Sequence, residues 1–340
     1  MKKYYDVIIT GATGFVGRRL IKEIIKVYPR ENILCIVRNR DNSLEESGKS
    51  IISKLGIATQ IIDLNYIKSL KNLPKNPKLV INLAANTDTS DSDHRVNNLG
   101  VKNLYKTFGK LNSKTHIIHI GSMITVAGRL DCSKPVDEST PDYPTNEYTR
   151  TKLDGENILI AKCKKDKFRF TIIRPNTIYG KGYRKESLFD MVINMIKKKS
   201  PITRINWPGK SSLIHVDDVV KALIFFSKRS PRPGIPEKYL LYSENLSIAE
   251  ISQLLHKKMG IKYNPIKIPN YIWKLARFGR RFIPPLEKYL PANLYNIFWR
   301  LSLIVDDVTL SNTQKLARIF PNPNPKKLTQ NIRDVTPENS

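Results

Sequence analysis

Tyr148 and Lys152 stand four residues apart in Tyr148-Thr149-Arg150-Thr151-Lys152, so both side chains share one face if the segment is helical. A phenol with its ordinary pKa near ~10 is a poor base at neutral pH. An ammonium held beside it favours the phenolate and lowers that value. The pair is equipped to move a proton to or from a hydroxyl oxygen. A second constellation lies near the N-terminus, in Thr10-Gly11-Ala12-Thr13-Gly14-Phe15-Val16-Gly17. It follows a β-branched apolar run and opens an amphipathic stretch. Gly11 permits a tight turn, Gly14 lets a pyrophosphate approach the backbone, and Gly17 lets a helix pack close to a sheet. The helix N-terminus adds free N–H groups and a positive dipole end. Thr13, Phe15 and Val16 complete the candidate phosphate cradle.

These groups need a scaffold. Short apolar runs at Val7–Thr10, Asn32–Val37, Thr59–Ile62, Leu79–Leu83, His116–Ile120 and Thr171–Ile173 alternate with helical stretches, the first over about 16–27. Such alternation predicts an α/β fold: a parallel sheet wrapped by helices on both faces, joined by right-handed crossovers. After about Tyr179 the rhythm becomes irregular and prolines gather, as at Pro231, Pro233 and Pro236 and again at Pro284 and Pro285. That region reads as a smaller lobe.

The 340 residues are 40% hydrophobic, enough for a buried core. Lys and Arg outnumber Asp and Glu by 58 to 30, a net charge of +28. The excess suits an anionic partner such as a phosphorylated substrate or an acidic membrane surface. No zinc-finger spacing, RNP-type aromatic motif or basic tail points to nucleic acid. Cys35, Cys132 and Cys163 form no CxxC pair, so neither a disulfide framework nor a metal site is expected. The N-terminus lacks a signal-peptide pattern and no apolar run approaches ~18 residues, which places the chain in the cytoplasm.

In chain order the motifs resemble those of the extended short-chain dehydrogenase/reductases, the NAD-dependent epimerase/dehydratase family. Thr10–Gly17 resembles the TGxxGxxG signature. Asp63-Leu64 resembles the segment with the acidic residue near the adenine ring, Asn82-Leu83-Ala84-Ala85 the segment after the fourth strand, and Asn97-Asn98-Leu99-Gly100 a helix start. Tyr148–Lys152 matches YxxxK, Arg174-Pro175-Asn176-Thr177-Ile178-Tyr179-Gly180 is similar to RPxxxYG, and Ile214-His215-Val216-Asp217-Asp218 to HVDD. The resemblance covers roughly 5–225. It implies a Rossmann-type doubly wound parallel sheet with a smaller C-terminal substrate lobe, divided as 1–180 with 205–245 against 181–204 with 246–340.

It also implies roles. Tyr148 exchanges the substrate hydroxyl proton while a nicotinamide exchanges hydride at the same carbon, and Lys152 also holds the nicotinamide ribose. Gly11, Thr13, Gly14, Phe15, Val16, Gly17, Arg38, Asp63, Leu64, Ala84, Ala85, Asn97, Tyr148, Lys152, Pro175 and Asn176 are the cofactor-binding candidates. A carboxylate closing the second strand would bind the ribose hydroxyls of NAD. This chain has Val37-Arg38-Asn39-Arg40 there, and a guanidinium can fork onto a 2′-phosphate. NADP is therefore expected, with NAD still possible.

Two departures matter. The family's catalytic Ser or Thr falls on Met123, so either Ser122 or Thr125 substitutes or catalysis is weakened; Ser122 is the candidate. Sugar dehydratases of the family carry an Asp-Glu pair where Ile124 and Thr125 stand, which disfavours elimination. The loop Val136-Asp137-Glu138 through Pro144 resembles the sugar-nucleotide branch. The Arg that branch places before HVDD is missing, with Lys210 or Arg184 as possible substitutes. Val126-Ala127-Gly128 is similar to the steroid-dehydrogenase branch. The expected activity is an epimerase or reductase on a nucleotide- or lipid-linked sugar. A dehydrogenase of a sterol-like or other lipid alcohol, or a cofactor-binding protein with faded catalysis, are the alternatives. A homodimer is compatible with all three.

Between Lys257 and Arg300 lie ten Lys/Arg and one acid, Glu287. On a helix, Ile272, Leu275, Ala276, Gly279, Phe282 and Ile283 share one face, and Lys274, Arg277, Arg280 and Arg281 another. The stretch 269–283 suits either the surface of an anionic membrane, which would make the protein peripheral to its inner face, or a lobe helix packed on the core.

Overall fold

The computed structural model describes residues 4–39, 42–89, 91, 93–129, 135–183, 187–305 and 314–336. The chain divides into two compact units: Met1–Thr125 with Glu147–Arg174 and Val219–Leu240, and Val126–Asn146 with Pro175–Asp218 and Leu241–Ser340. The expected boundaries part from these units at 126–146, 175–180, 205–218 and 241–245.

The first unit is built on a seven-stranded sheet in the order β3-β2-β1-β4-β5-β6-β9. The strands are β1 (Val7–Thr10), β2 (Ile33–Val37), β3 (Ala58–Ile61), β4 (Leu79–Asn82), β5 (His116–Ile120), β6 (Arg169–Pro175) and β9 (Pro236–Leu241). β1 to β6 pair in parallel, with Val7 between Ile33 and Leu79 and Ile120 opposite Ile173. β1, β2 and β4 are buried along their whole length, as strands covered by helices on both faces must be. The order reverses at β1, where β2 lies on one side and β4 on the other. Open α/β sheets bind ligands at such a switch point, outside the carboxyl ends of the strands. The helices are α1 (Gly17–Ile24), α2 (Ser43–Lys54), α3 (Leu99–Thr107) and α4 (Glu147–Asp166), with α6 (Val216–Lys228) entering from residue 219. A core of residues such as Ile8, Leu34, Val80, Leu104, Phe168 and Phe170 fills the space beneath them.

The second unit holds a three-stranded sheet, β10-β8-β7, from β7 (Thr177–Tyr179), β8 (Lys210–His215) and β10 (Glu244–Ser247). Its helices include α5 (Leu188–Lys197), α7 (Ile248–Lys258), α8 (Asn270–Gly279) and α9 (Ala292–Ile304). A capping box fixes the start of α7: the Glu250 amide donates to the Ser247 hydroxyl and the Glu250 carboxylate accepts from the Ser247 amide. α8 departs from the expectation of a helix packed through Ile272, Leu275 and Phe282. Trp273 is its buried residue, packed at a tilt against Trp207 with ring centroids 5.2 Å apart, and those three are exposed. The large indole decides which way the helix faces.

Candidate active site

The cradle is held by backbone contacts that leave no room for side chains. Gly11 ends β1 with φ +67°, and a Cβ there would lie 2.7 Å from the Leu83 carbonyl carbon. At Gly17 a Cβ would come within 2.2 Å of the Gly11 oxygen, so α1 rests on the turn itself. At Gly14, among the described residues, a Cβ would meet only that same oxygen, at 3.2 Å. That side of the turn is clear for a phosphate, and the geometry fits a dinucleotide pyrophosphate.

α2 buttresses the cradle through residues the sequence did not flag. Gly48 lies so close to Thr13 that a Cβ would sit 2.6 Å from the Thr13 Cα. Buried Glu45 accepts the Thr13 hydroxyl at 2.9 Å and the Arg38 amide at 3.2 Å on one carboxylate oxygen, Oε1. The end of β2 is thereby tied to the phosphate turn, with the Arg38 side chain half-buried there. Arg40 lies outside the described residues. On the other side of β1, the Thr10 hydroxyl donates to Asn82 and accepts the Ala84 amide at 3.2 Å. Asn82 in turn donates to the His119 Nδ1 at 3.0 Å. Burial holds His119 well below its usual pKa, with Lys152 and Arg174 adding to the effect, so the ring is neutral.

Several other cofactor candidates serve as framework. Asp63 is exposed and accepts the Asn65 amide at 2.9 Å, while Leu64 is buried and its carbonyl accepts from Asn103. The Asn97 side chain clamps both backbone groups of Asn86, at 2.9 and 3.0 Å, and reaches Thr151 on α4 at 3.3 Å. A Cβ at Gly155 would strike the Asn97 carbonyl at 2.1 Å, so α4 lies directly on this loop. Pro175 ends β6 and Asn176 follows it, and both belong to the second unit.

Tyr148 is in the first turn of α4 and Lys152 one turn later, as the spacing requires. Tyr148 is half-buried, its ring 5.6 Å from that of buried His94. Lys152 is only 2% exposed, and its ammonium donates to the Ile120 carbonyl at the end of β5, at 2.6 Å. Burial brings its pKa down from 10.5 to about 8; Glu156 opposes the fall and Arg174 adds to it. Glu156, the next residue along this face of α4, forms a buried two-pronged ion pair with Arg174. The closest contact is 2.6 Å, and the two side chains are 0% and 2% exposed. Gly121 makes the space: a Cβ there would lie 2.0 Å from the Glu156 carboxylate. Lys152 therefore lies within the electrostatic reach of a buried carboxylate that is itself paired with Arg174, an arrangement legible only once β6 is laid beside α4.

A 3-10 turn, Met123–Val126, follows β5. Thr125 is fully buried, and its hydroxyl donates to the Ser122 carbonyl at 3.1 Å. Ser122 accepts the Ile124 amide at 3.4 Å, and Met123 is buried. Thr125 thus spends its donor within the turn.

In the second unit, the two remaining motifs hold the C-terminal segment. Tyr179 donates to the Lys326 carbonyl at 2.9 Å, Asp218 accepts the Lys326 amide at 2.7 Å, and Asp217 pairs with the Lys326 ammonium. His215 accepts the Asp217 amide on Nδ1 and meets Asp334 through Nε2 at 3.0 Å. Asp137 of the Val136–Glu138 segment closes its own turn, accepting from Ser139 and Thr140. The Ser139 hydroxyl holds its carboxyl below the usual range. Lys210 is exposed at the start of β8; Arg184 lies outside the described residues, as does Cys132. Cys35 and Cys163 are buried free thiols. Among the described residues no group of His, Cys, Asp and Glu could hold a metal, and no helix is long and apolar enough to cross a membrane.

A phosphate cradle at the switch point of a doubly wound sheet, with a Tyr–Lys pair on α4, defines a nicotinamide-dependent enzyme of the extended short-chain dehydrogenase type. A family model described as NAD dependent epimerase/dehydratase family matches residues 7–241, and the chain belongs to that family. It is 22% identical over 288 residues to a UDP-glucose 4-epimerase of Vibrio cholerae, covering 82% of each chain. To a human dTDP-D-glucose 4,6-dehydratase it is 26% identical over 239 residues, 67% of each. A crystal structure of a UDP-glucuronic acid 4-epimerase from Bacillus cereus, in complex with UDP-glucuronic acid and NAD, shares the fold. It superposes with TM-score 0.70 at 18% identity, covering 96% of each chain.

Proposed function

We propose that the protein catalyses reversible hydride transfer at a hydroxyl- or keto-bearing carbon of a phosphorylated sugar, nucleotide- or lipid-linked, as an epimerase or keto-sugar reductase. The observation that carries this is the buried Lys152 ammonium, fixed on the Ile120 carbonyl one turn beyond Tyr148. With a pKa of about 8 it is mostly cationic at pH 7, and a cation beside a phenol favours the phenolate. Tyr148 then takes the proton of a substrate hydroxyl in the oxidative direction and returns it in the other. A nicotinamide held there would supply or accept the hydride at that carbon. The turn at Gly14 and the N-terminus of α1 would hold the pyrophosphate, with Gly11 and Gly17 shaping the turn, and Arg38 would receive the 2′-phosphate of NADP at the end of β2.

Ser122 supplies the hydrogen bond to the reacting oxygen in place of Met123. Thr125 is unsuited, because its hydroxyl donates to the Ser122 carbonyl. Ile124 and Thr125 carry no carboxyl group, so they supply no acid–base pair for elimination. The relatives that act on UDP-glucose and dTDP-glucose favour a sugar nucleotide as substrate. Incubation of the protein with UDP-hexoses, UDP-hexuronates and dTDP-hexoses, followed by NMR of the products, tests this. An inverted centre without net cofactor consumption identifies an epimerase, and stoichiometric NADPH oxidation a reductase. A cofactor-loaded protein that turns over none of them contradicts the proposal.

A further inference from the structure

Half of the large apolar side chains that stand exposed among the described residues fall between 271 and 301. α8 is amphipathic with its apolar stripe turned outward. At 3.6 residues per turn Tyr271, Leu275 and Phe278 form one stripe opposite buried Trp273, and these three and Phe282, in the 3-10 turn that follows, are exposed, Leu275 at 71%. α9 repeats the arrangement. Its inner side is fixed by Tyr295, which donates to the Thr145 carbonyl at 2.6 Å, and Trp299, which donates to the Thr145 hydroxyl at 2.8 Å. Ile297, Phe298 and Leu301 stay exposed on the other side. An apolar stripe left in water on two successive helices is a sign of a docking surface rather than of ordinary scatter.

The charge beside the stripe selects the partner. Lys274 and Arg277 follow the next row of α8, Arg281 lies in the 3-10 turn after it, and all three are exposed. Arg281 lies 3.5 Å over the Phe278 ring, and Arg277 donates to the Val305 carbonyl. Residues 257–300 carry ten Lys/Arg against the single Glu287. Two copies of this face brought together would set like charges against each other, whereas anionic headgroups complement them.

We propose that the outward faces of α8 and α9 dock on an anionic lipid bilayer. Their apolar side chains sit at the headgroup–acyl boundary and the flanking cations sit on lipid phosphates. This surface stands on its own geometry and does not depend on the enzymatic proposal.

Flotation of the full chain with vesicles of phosphatidylcholine alone, or with 30% (roughly) phosphatidylglycerol, tests it. Binding is expected only to the anionic vesicles and should weaken as salt rises. Lys274→Ala and Arg281→Ala should each weaken partitioning by about fivefold. Leu275→Asp with Phe278→Asp should abolish it while thermal stability and NADPH binding are retained. Absence of binding to anionic vesicles at low salt would overturn the proposal, and so would binding untouched by the double Asp variant. Light scattering that shows a dimer in the parent and a monomer in that variant would instead assign the stripe to a second copy, which also overturns it.

Discussion

Replacing Lys152 with Met should abolish turnover and yet stabilise the protein near neutral pH. The pKa of about 8 against the usual 10.5 means that the unfolded chain binds this proton more readily than the folded one. Above pH 10.5 the amine is neutral in both states and its burial carries no electrostatic penalty. As pH falls from 10.5 toward 8 the unfolded state takes the proton first and stability is lost, down to a floor of ~3 kcal/mol. Lys152→Met removes that penalty. It also removes the 2.6 Å bond to the Ile120 carbonyl, worth ~1 kcal/mol. The net gain at pH 7 is ~2 kcal/mol, shrinking to about zero near pH 9.5. Urea melts of parent and variant at the two pH values read it directly. A variant less stable than the parent at pH 7, or a gain of the same size at both pH values, would refute the reasoning.

The buried ion pair should behave as a unit. Glu156→Leu leaves the Arg174 guanidinium buried alone and should cost ~3–5 kcal/mol, whereas adding Arg174→Leu should recover much of that loss; urea melts that show additive losses would contradict it. Fluorescence titration should find NADPH bound more tightly than NADH, and Arg38→Asp should reverse the order; NADH tighter in the parent would exclude the role given to Arg38. Ser122→Ala should cost ~2–4 kcal/mol of transition-state stabilisation in kcat/KM. A silent Ser122→Ala together with a gain from Met123→Ser would mean that Met123 is a true loss.

The strands β1 to β6 were legible in the sequence because they fall on short apolar runs closed by turn residues, whereas β7 to β10 were not picked out of the more irregular stretch that follows. His116–Ile120 matches β5 and Val7–Thr10 matches β1 to the residue. The cradle glycines and the Tyr–Lys spacing were legible for the same reason: their geometry is local. What stayed hidden depends on partners distant in the chain. Glu45 lies 32 residues from Thr13, and Glu156 lies 18 from Arg174. A carboxylate's type gives no sign that it will be buried. Arg174, Tyr179, His215 and the two Asp after it were marked only as motif members. The structure spends Arg174 on Glu156 and the others on the 326–334 segment. A helical wheel showed that α8 has two unlike faces, but only the contact between Trp273 and Trp207 shows which one is covered.

The central claim is that Tyr148 moves the substrate proton with Lys152 behind it, and turnover by Tyr148→Phe tests it most directly. The variant keeps the ring that packs beside His94 and loses only the hydroxyl. The account predicts kcat on the sugar-nucleotide substrate lower by ~10²-fold or more, with NADPH affinity and melting temperature unchanged. Turnover within a few-fold of the parent would contradict it.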